Sequence, residues 1–369
     1  LLFIGVIFNI SSKQKVISKG SGILKIDLAN TSVVERTSEN PFAEFNMSGK
    51  LKETIELKQV LDNIEKAKND SNIKVIYINT SFVNTGLSQT EEIRNKLLEF
   101  KATGKPIISY SEMYSQSAYY LASVANKIYI NPEGMVELKG LSISQLFYKG
   151  LLDKLDIDMQ IIRHGKFKSA VEPYTLDKMS AENRKQMTLL LSSISNNIMD
   201  SIASQRGLSL SEIQKHAENL SLESAKSCLD LNYVDALLYQ DQIEDSLLEL
   251  SGTKKLNYIN LTKYTHLNNI VEKKISRNKI AIIYATGTIR SGEGNETSIG
   301  SKTTAQAIKK AREDKNVKAI VFRINSGGGS ALASDVILRE TKLTKKARKP
   351  LVVSMGDYAA SGGYYIACA

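Results

Sequence analysis

The chain has 369 residues, of which 42% are hydrophobic and 24% are charged. This composition is that of an ordinary globular protein and excludes wholesale disorder, a collagen-like repeat and a coiled-coil rod. The two cysteines and three histidines are scattered, so the sequence predicts neither a disulfide framework nor a metal site built from these residues. No nucleotide-binding fingerprint is present, and we therefore expect no cofactor.

The net charge of +10 raises the question of a nucleic-acid partner or an acidic membrane surface. The lysines are spread along the chain, and aromatic and basic residues do not alternate as they do in proteins that bind single strands. The charge therefore predicts a solvated surface, and we expect no nucleic-acid binding.

The first ten residues, LLFIGVIFNI, are mostly apolar but too few to cross a bilayer, which needs about 20 residues. A buried strand or the core of a signal peptide is the alternative. We interpret residues 1–10 as the remnant of an N-terminal membrane anchor, because a polar stretch follows directly. The flanking charges do not give the orientation of that anchor.

An internal repeat is the strongest structural signal. Residues 70–77 (DSNIKVIY) resemble residues 314–321 (DKNVKAIV), and the match continues without gaps through residue 120. Eleven of the 51 aligned positions are identical, and the hydrophobic pattern coincides throughout. The sequence therefore predicts two related units in tandem.

Each unit is predicted to contain helix, strand, helix, strand and a short third helix. This alternation is typical of an α/β fold with a mostly parallel sheet. The first four elements are expected at 54–68, 75–78, 88–101 and 107–110 in the first repeat, and at 303–312, 319–324, 331–346 and 351–354 in the second.

The first repeat continues with a predicted strand at 127–130 and a long helix at 181–205 that Gly207 ends. A capping-box pattern from Ser209 to Glu212 predicts the start of another helix. The second repeat has no counterpart of residues 126–250. The predicted division is a first repeat at 11–256, a linker at 257–277 and an incomplete second repeat at 278–369.

A glycine run lies in residues 323–330 (RINSGGGS), between a predicted strand and a predicted helix. Consecutive glycines let backbone N–H groups converge on one point, and such a nest holds an anion or a developing oxyanion. The run lacks the Gly-Lys-Ser/Thr end of a P-loop and the Gly-x-Gly-x-x-Gly spacing of a dinucleotide-binding loop. A plain tight turn is the alternative.

Ser361 lies among small residues after a predicted buried strand, where a helix is expected to begin. This setting favours a nucleophile, because small neighbours give access and a helix N-terminus favours negative charge. The pattern is not a Gly-x-Ser-x-Gly elbow, and an N-cap serine is the alternative. The first repeat keeps Ser117 but has no glycine run, which favours one working site and one structural relic.

A nucleophilic serine needs a base. His164 could serve in a triad, and a lysine could serve if removal from water lowers its pKa from about 10.4. The residue types alone do not choose between these bases.

Three stretches carry a family resemblance: residues 114–128 (YSQSAYYLASVANKI), residues 166–173 (KFKSAVEP), and residues 359–365 (AASGGYY) together with the glycine run. They resemble the signal peptide peptidase A (protease IV) family in its long, duplicated form, over nearly all of residues 20–369. The resemblance implies tandem Clp protease/crotonase-like units, the first supplying a catalytic lysine and the second, truncated here, supplying the serine.

Carried over residue by residue, the resemblance implies that Ser361 is the nucleophile and Lys168 the general base. Gly328 and the adjacent Gly329 match the oxyanion-hole loop. The N–H of Gly362 is our own additional candidate for an oxyanion donor.

Lys166 is the close rival to Lys168, since both side chains would point to the same face of an extended segment. Gly327 stands where family members commonly have a proline. A glycine at this position would loosen the loop.

The implied function is that of a membrane-anchored serine endopeptidase that degrades cleaved signal peptides through a Ser–Lys dyad and an acyl-enzyme. We therefore expect hydrophobic signal peptides as substrates, contact with membrane lipid and a homo-oligomer, a tetramer by resemblance. The expected location is the bacterial inner membrane, with the catalytic part on the periplasmic side. A crotonase-like acyl-CoA enzyme and a catalytically inactive membrane scaffold are the alternatives.

Overall fold

A computed structural model describes residues 22–37, 53–267 and 276–368. The predicted anchor at 1–10 lies outside these ranges. Within them, no helix combines the length and the apolarity needed to cross a membrane.

The strands, in chain order, are β1 Gly22–Ile26, β2 Thr31–Val34, β3 Glu53–Glu56, β4 Ile73–Ile78, β5 Ile107–Ser111, β6 Lys127–Ile130, β7 Ala236–Leu237, β8 Tyr258–Asn260, β9 Lys279–Arg290, β10 Ser298–Gly300, β11 Val317–Gly329 and β12 Leu351–Ala359. The helices are α1 Leu57–Asn69, α2 Leu87–Lys101, α3 Gln116–Ala122, α4 Lys149–Lys154, α5 Glu172–Thr175, α6 Ala181–Arg206, α7 Leu210–Glu218, α8 Ala225–Asp230, α9 Gln240–Ser251, α10 Leu261–Thr265, α11 Ser301–Glu313, α12 Ala331–Lys346 and α13 Gly362–Tyr365.

The described strands form two main sheets. The first sheet has six strands in the order β7-β6-β5-β4-β1-β8, and the second has four in the order β10-β9-β11-β12. Neighbouring strands run parallel in both sheets. Parallel neighbours require crossover connections, which the helices between the strands supply. The α/β fold predicted from the sequence is confirmed.

The two repeats coincide at the level of element boundaries. The first helices begin at Leu57 and Ser301, and the strands that follow begin at Ile73 and Val317. Both pairs are separated by the offset of the sequence repeat, 314 minus 70, or 244 residues. The duplicated architecture therefore extends from the sequence to the positions of these elements.

A pair of equivalent lysines shows that even side-chain roles are duplicated. Lys105 Nζ donates to the carbonyl oxygens of Ala67 and Asp70, each at 2.8 Å. Lys349 Nζ donates to those of Ala311 and Asp314, at 2.8 and 2.7 Å. A cation stabilises the carbonyl oxygens left unpaired at a helix C-terminus. The lysine before the second strand of each repeat thus holds the C-terminal end of the first helix of that repeat, α1 or α11.

Helix ends in the first repeat follow their sequence signals. Gly207 ends α6 in the left-handed conformation, with φ of 67°. Ser209 and Glu212 form the predicted capping box at the start of α7. Both observations confirm the boundaries predicted from local sequence.

Two segments differ from expectation. Residues 257–267, predicted as linker, contain β8, which pairs with β1, and α10, which packs beside it; residues 268–275 lie outside the described ranges. The glycine run, predicted as a loop, continues strand β11, because Gly328 and Gly329 pair with Thr288 and Ile289 of β9. Both differences arise from pairing partners that are remote in sequence.

The two repeats meet around one buried arginine. Arg323 donates to Glu35 through Nε at 3.0 Å and Nη2 at 2.8 Å, and its Nη1 lies 2.7 Å from Glu92 Oε1. Both carboxylates belong to the first repeat, whereas Arg323 lies in β11 of the second. The side chains of Arg323 and Glu35 are only 8% and 2% exposed. Burial lowers the pKa of Arg323, but the ion pairs outweigh this effect and hold the pKa above its ordinary value.

We predict that Arg323→Met destabilises the protein by about 3–5 kcal/mol, because it leaves the buried Glu35 carboxylate without its counter-charge. The free energy of unfolding, measured by chemical denaturation, checks this. In the double variant Arg323→Met/Glu35→Leu we expect most of the loss to be recovered, since no isolated charge remains buried.

Lys302→Met is the matched control, because Lys302 and Glu293 form an ion pair whose side chains are 57% and 71% exposed. It should leave the free energy of unfolding nearly unchanged. Equal effects of Arg323→Met and Lys302→Met would contradict the role given to the buried pair.

Candidate active site

Ser361 lies at the junction between β12 and α13 in an unusual backbone conformation, with φ of 50° and ψ of −120°. A positive φ is strained for a residue with a side chain, and such strain concentrates at functional sites. Ser361 occupies the N-cap position, but its side chain makes no capping hydrogen bond. The residue is exposed. The N-cap alternative therefore does not explain this serine.

The equivalent serine of the first repeat has an ordinary setting. Ser117 lies inside α3, and the N-cap of that helix is Ser115, with φ of −66° and ψ of 162°. Ser115 Oγ accepts a hydrogen bond from the N–H of Ala118 at 3.3 Å. The first repeat thus uses a serine as a helix cap, whereas the second holds its serine in a strained and uncapped conformation.

The end of β11 lies directly against Ser361. A Cβ added to Gly328, whose φ is 104°, would come within 2.8 Å of the Ser361 Cβ and 2.7 Å of the Gly362 nitrogen. Only glycine allows such a close approach together with this φ. The structure therefore brings the glycine run and the serine segment together as backbone against backbone.

The N–H groups near the serine differ in their partners. The N–H of Gly328 donates to Ser326 Oγ at 3.0 Å, and this hydroxyl in turn donates to the Gly287 carbonyl at 2.6 Å. Gly362 is the first residue of α13, where an N–H has no intrahelical partner. A Cβ added to Gly362 would lie 3.3 Å from the Gly329 nitrogen, so these two backbones are adjacent. All three candidate oxyanion donors thus lie beside Ser361, and the N–H of Gly328 already has a hydrogen-bond partner. The assignment of the oxyanion donors stays a prediction.

Lys168 lies in residues 155–171, which form no helix or strand, and it is exposed. Its carbonyl oxygen accepts a hydrogen bond from Arg163 Nη1 at 3.3 Å. Within the described ranges, its ammonium group has no hydrogen bond or ion pair, and it does not bond to Ser361. Lys166 and His164 are exposed in the same segment. The choice of Lys168 as base stays a prediction.

A buried carboxylate ends the segment that carries Lys168. Glu172 is fully buried and accepts hydrogen bonds from Ser180 Oγ at 2.6 Å and from Asn183 Nδ2 at 3.0 Å. These partners lie at the N-terminus of α6, so Glu172 fixes the segment to that helix. Sequence reasoning did not single out Glu172, although an acid within an otherwise small and apolar motif was a usable signal.

Arg323 and Glu35 were also missed as a pair. Arg323 is a charged residue in a predicted buried strand, and buried charges need partners. That pattern marked Arg323 as a residue with a specific role. Its partner is 288 residues away in the sequence, and no local pattern identifies it.

The similarities to known proteins agree with this arrangement. Residues 99–254 match the family model described as Peptidase family S49. Protease 4 of Salmonella typhi is 34% identical over 381 aligned residues, covering 99% of this chain and 61% of that protein. Protease 4 of Haemophilus influenzae is 37% identical over 82% of this chain and 51% of its own length. The chloroplastic serine protease SPPA of Arabidopsis thaliana is 32% identical over 85% of this chain and 47% of its own length.

The chain thus spans about half to three fifths of the length of these relatives. The S49 match falls on the part of the first repeat that contains Lys168 and Glu172. The alignments to the relatives extend over most of the chain. Together with the duplicated parallel α/β fold, they support an SppA-type protease related to the protease 4 proteins, with a peptidase S49 region at residues 99–254.

Proposed function

We propose that the chain forms part of a serine endopeptidase in which Ser361 is the nucleophile and Lys168 the general base. The observation that carries this proposal is the conformation of Ser361. The residue is exposed at a strained strand–helix junction, its side chain makes no capping hydrogen bond, and it lies against the backbone of the glycine run. A serine held in this way is presented to a substrate rather than used to stabilise a helix.

The proposed mechanism assigns each step to residues of this chain. Neutral Lys168 takes the proton of the Ser361 hydroxyl, and the resulting alkoxide attacks a peptide carbonyl. The N–H groups of Gly329 and Gly362 hold the oxyanion of the tetrahedral intermediate. Lys168 then protonates the leaving amine, and water hydrolyses the acyl-enzyme to regenerate the serine.

A lysine acts as a base near neutral pH only when its surroundings disfavour the charged form. Lys168 is exposed in the single chain, so another surface must cover it in the active state. Large apolar side chains between residues 146 and 167 are also exposed, among them Leu146, Ile162 and Phe167. Several exposed large apolar residues in one segment favour association, and we therefore propose a homo-oligomer in which a second copy of the chain covers this segment.

The surroundings of Ser361 support an apolar substrate. Leu332, Tyr358 and Tyr364 are 72%, 67% and 57% exposed, and each lies within three residues of the glycine run or of Ser361. We propose that the substrates are hydrophobic peptides of the signal-peptide class. The full-length protein would act as a membrane-anchored enzyme on the periplasmic side of the bacterial inner membrane.

We predict that Ser361→Ala and Lys168→Ala each lower kcat for a fluorogenic signal-sequence peptide by at least about 1,000-fold, because neither partner of the dyad works alone. The assay uses the full-length reading frame in detergent.

Lys166→Ala and His164→Ala are the matched controls, because both residues are exposed in the same segment. They should keep activity within about threefold. Activity that survives Lys168→Ala but is lost in either control would make that residue the base. A folded, oligomeric parent that binds coenzyme A without cleaving peptides would favour the acyl-CoA alternative, and one with neither activity would favour the scaffold.

The glycine run gives a second prediction from two adjacent positions. A Cβ at Gly327 would meet no atom within 4 Å, whereas one at Gly328 would clash with Ser361 and Gly362. Gly328→Ala should therefore displace Ser361 and the N–H of Gly362, and lower kcat by about 100-fold or more, the scale of a lost oxyanion donor. Gly327→Ala should keep kcat and stabilise the fold by about 0.4–1 kcal/mol, because it restricts the unfolded chain. Steady-state kinetics and thermal unfolding distinguish the two, and equal kinetic losses would refute the assignment.

A further inference from the structure

We propose that Asp357 is a positioning residue, whose carboxylate attaches the strand of the nucleophilic serine to helix α2 of the first repeat. This inference rests on the proposed function and adds to it the contact that sets Ser361 relative to the repeat carrying Lys168.

The contact is a helix cap supplied by the other repeat. Asp357 Oδ1 accepts a hydrogen bond from the N–H of Ser88 at 2.8 Å, across 269 residues of sequence. Ser88 is the second residue of α2, and the N-cap of this helix is Gly86, which has no side chain to cap it. A carboxylate at a helix N-terminus satisfies an unpaired N–H and interacts favourably with the helix dipole. Asp357 therefore does what a local N-cap side chain normally does.

The absence of a side chain at Gly86 leaves space for this carboxylate. Its φ is −70° and its ψ is 165°, a conformation that any residue adopts, so backbone freedom does not require glycine here. A Cβ added to Gly86 would instead overlap the Asp357 carboxylate. The space left by the missing side chain is thus filled by a group from the second repeat.

The attachment lies close to the reacting serine. Asp357 is four residues before Ser361, near the end of β12. The next residue, Tyr358, donates its N–H to Asn325 Oδ1 at 3.0 Å, which joins the end of β12 to the glycine strand. A shift of Asp357 would therefore move both the serine and the strand that carries the oxyanion donors.

Helix α2 is itself fixed to the part of the first repeat that leads to Lys168. Arg94 of α2 donates to the Ser201 carbonyl of α6 at 2.8 Å. The N-terminus of α6 in turn holds Glu172, four residues after Lys168, through Asn183. Glu92, also on α2, pairs with Arg323 of β11. Helix α2 thus contacts both strands of the serine site and the helix that anchors the lysine segment.

The test compares kcat, KM and the rate at which an organophosphonate labels Ser361, all in the full-length protein. We expect Asp357→Ala to lower kcat and the labelling rate at least tenfold while KM stays within about threefold, because the serine is displaced but the substrate surface is kept. Asp357→Asn should stay within threefold of the parent, since its amide oxygen still accepts the Ser88 N–H.

Gly86→Ala tests the same contact from the other side. It leaves every group of the second repeat in place, yet it should produce the same loss by expelling the carboxylate. The double variant Gly86→Ala/Asp357→Ala should have a kcat no lower than that of either single variant, because both substitutions remove the same contact between Asp357 and Ser88. The matched control is Asp314→Ala, which removes another carboxylate of the second repeat that accepts a backbone N–H, from Asn316 at 2.8 Å. It should keep kcat within twofold.

The outcomes separate this inference from the proposed function. Normal kcat in both Asp357→Ala and Gly86→Ala, with Ser361→Ala inactive, would overturn the positioning role and leave the peptidase assignment intact. Equal losses in Asp357→Ala and Asp314→Ala would reduce the contact to general stability and also overturn it. A folded parent that neither cleaves peptides nor labels at Ser361 would overturn the proposed function, and the positioning role with it. If Gly86→Ala does not fold, the comparison of Asp357→Ala, Asp357→Asn and Asp314→Ala still tests the positioning role of Asp357.

Discussion

The relative position of the two repeats depends on the ion pair between Arg323 and Glu35. Taking two charges out of water is costly unless each finds its partner in good geometry. Arg323 meets this condition with two bonds to Glu35, one to Ser354 Oγ at 2.9 Å and a contact with Glu92. A rotation of one repeat against the other would leave a buried charge unpaired. The glycine run begins only a few residues further along the same strand, so this pair also fixes the place of the site.

Backbone hydrogen bonds on both sides of Ser361 hold this residue in its strained conformation. The Ala360 N–H donates to the Ser326 carbonyl at 3.0 Å, and the Gly363 N–H donates to the Ala360 carbonyl at 2.8 Å. These bonds tie both flanks of Ser361 to the glycine strand and to each other. The first repeat shares the fold but relaxes the corresponding serine into a helix. The same architecture thus accommodates a structural serine in one repeat and an uncapped, exposed serine in the other.

Much of the fold could be predicted from sequence because local signals determine it. Helix α12 has the predicted bounds of 331–346, and β6 has the predicted bounds of 127–130. The first helix begins later than predicted, at Leu57, because Glu53–Glu56 pairs with β2 instead. Ser361 and the glycine run were recognisable because each lies in a short stretch of unusual composition. The carboxylates that hold Arg323 were not recognisable, because pairing across two repeats leaves no local pattern. The protonation of Lys168 is equally out of reach of sequence, since it depends on what surrounds the side chain.

Gly86 shows how far the two halves have ceased to be independent. Helix α2 starts at a glycine, which has no side chain to cap it, and among the described residues the acid that accepts the N–H of Ser88 belongs to the other half. A duplicated gene can diverge freely only while each product folds by itself. Separating the two halves would leave the N–H of Ser88 without this acceptor and would cost helix α2 its cap. The two halves thus share one helix terminus, so that a change at position 86 or at position 357 alters both of them.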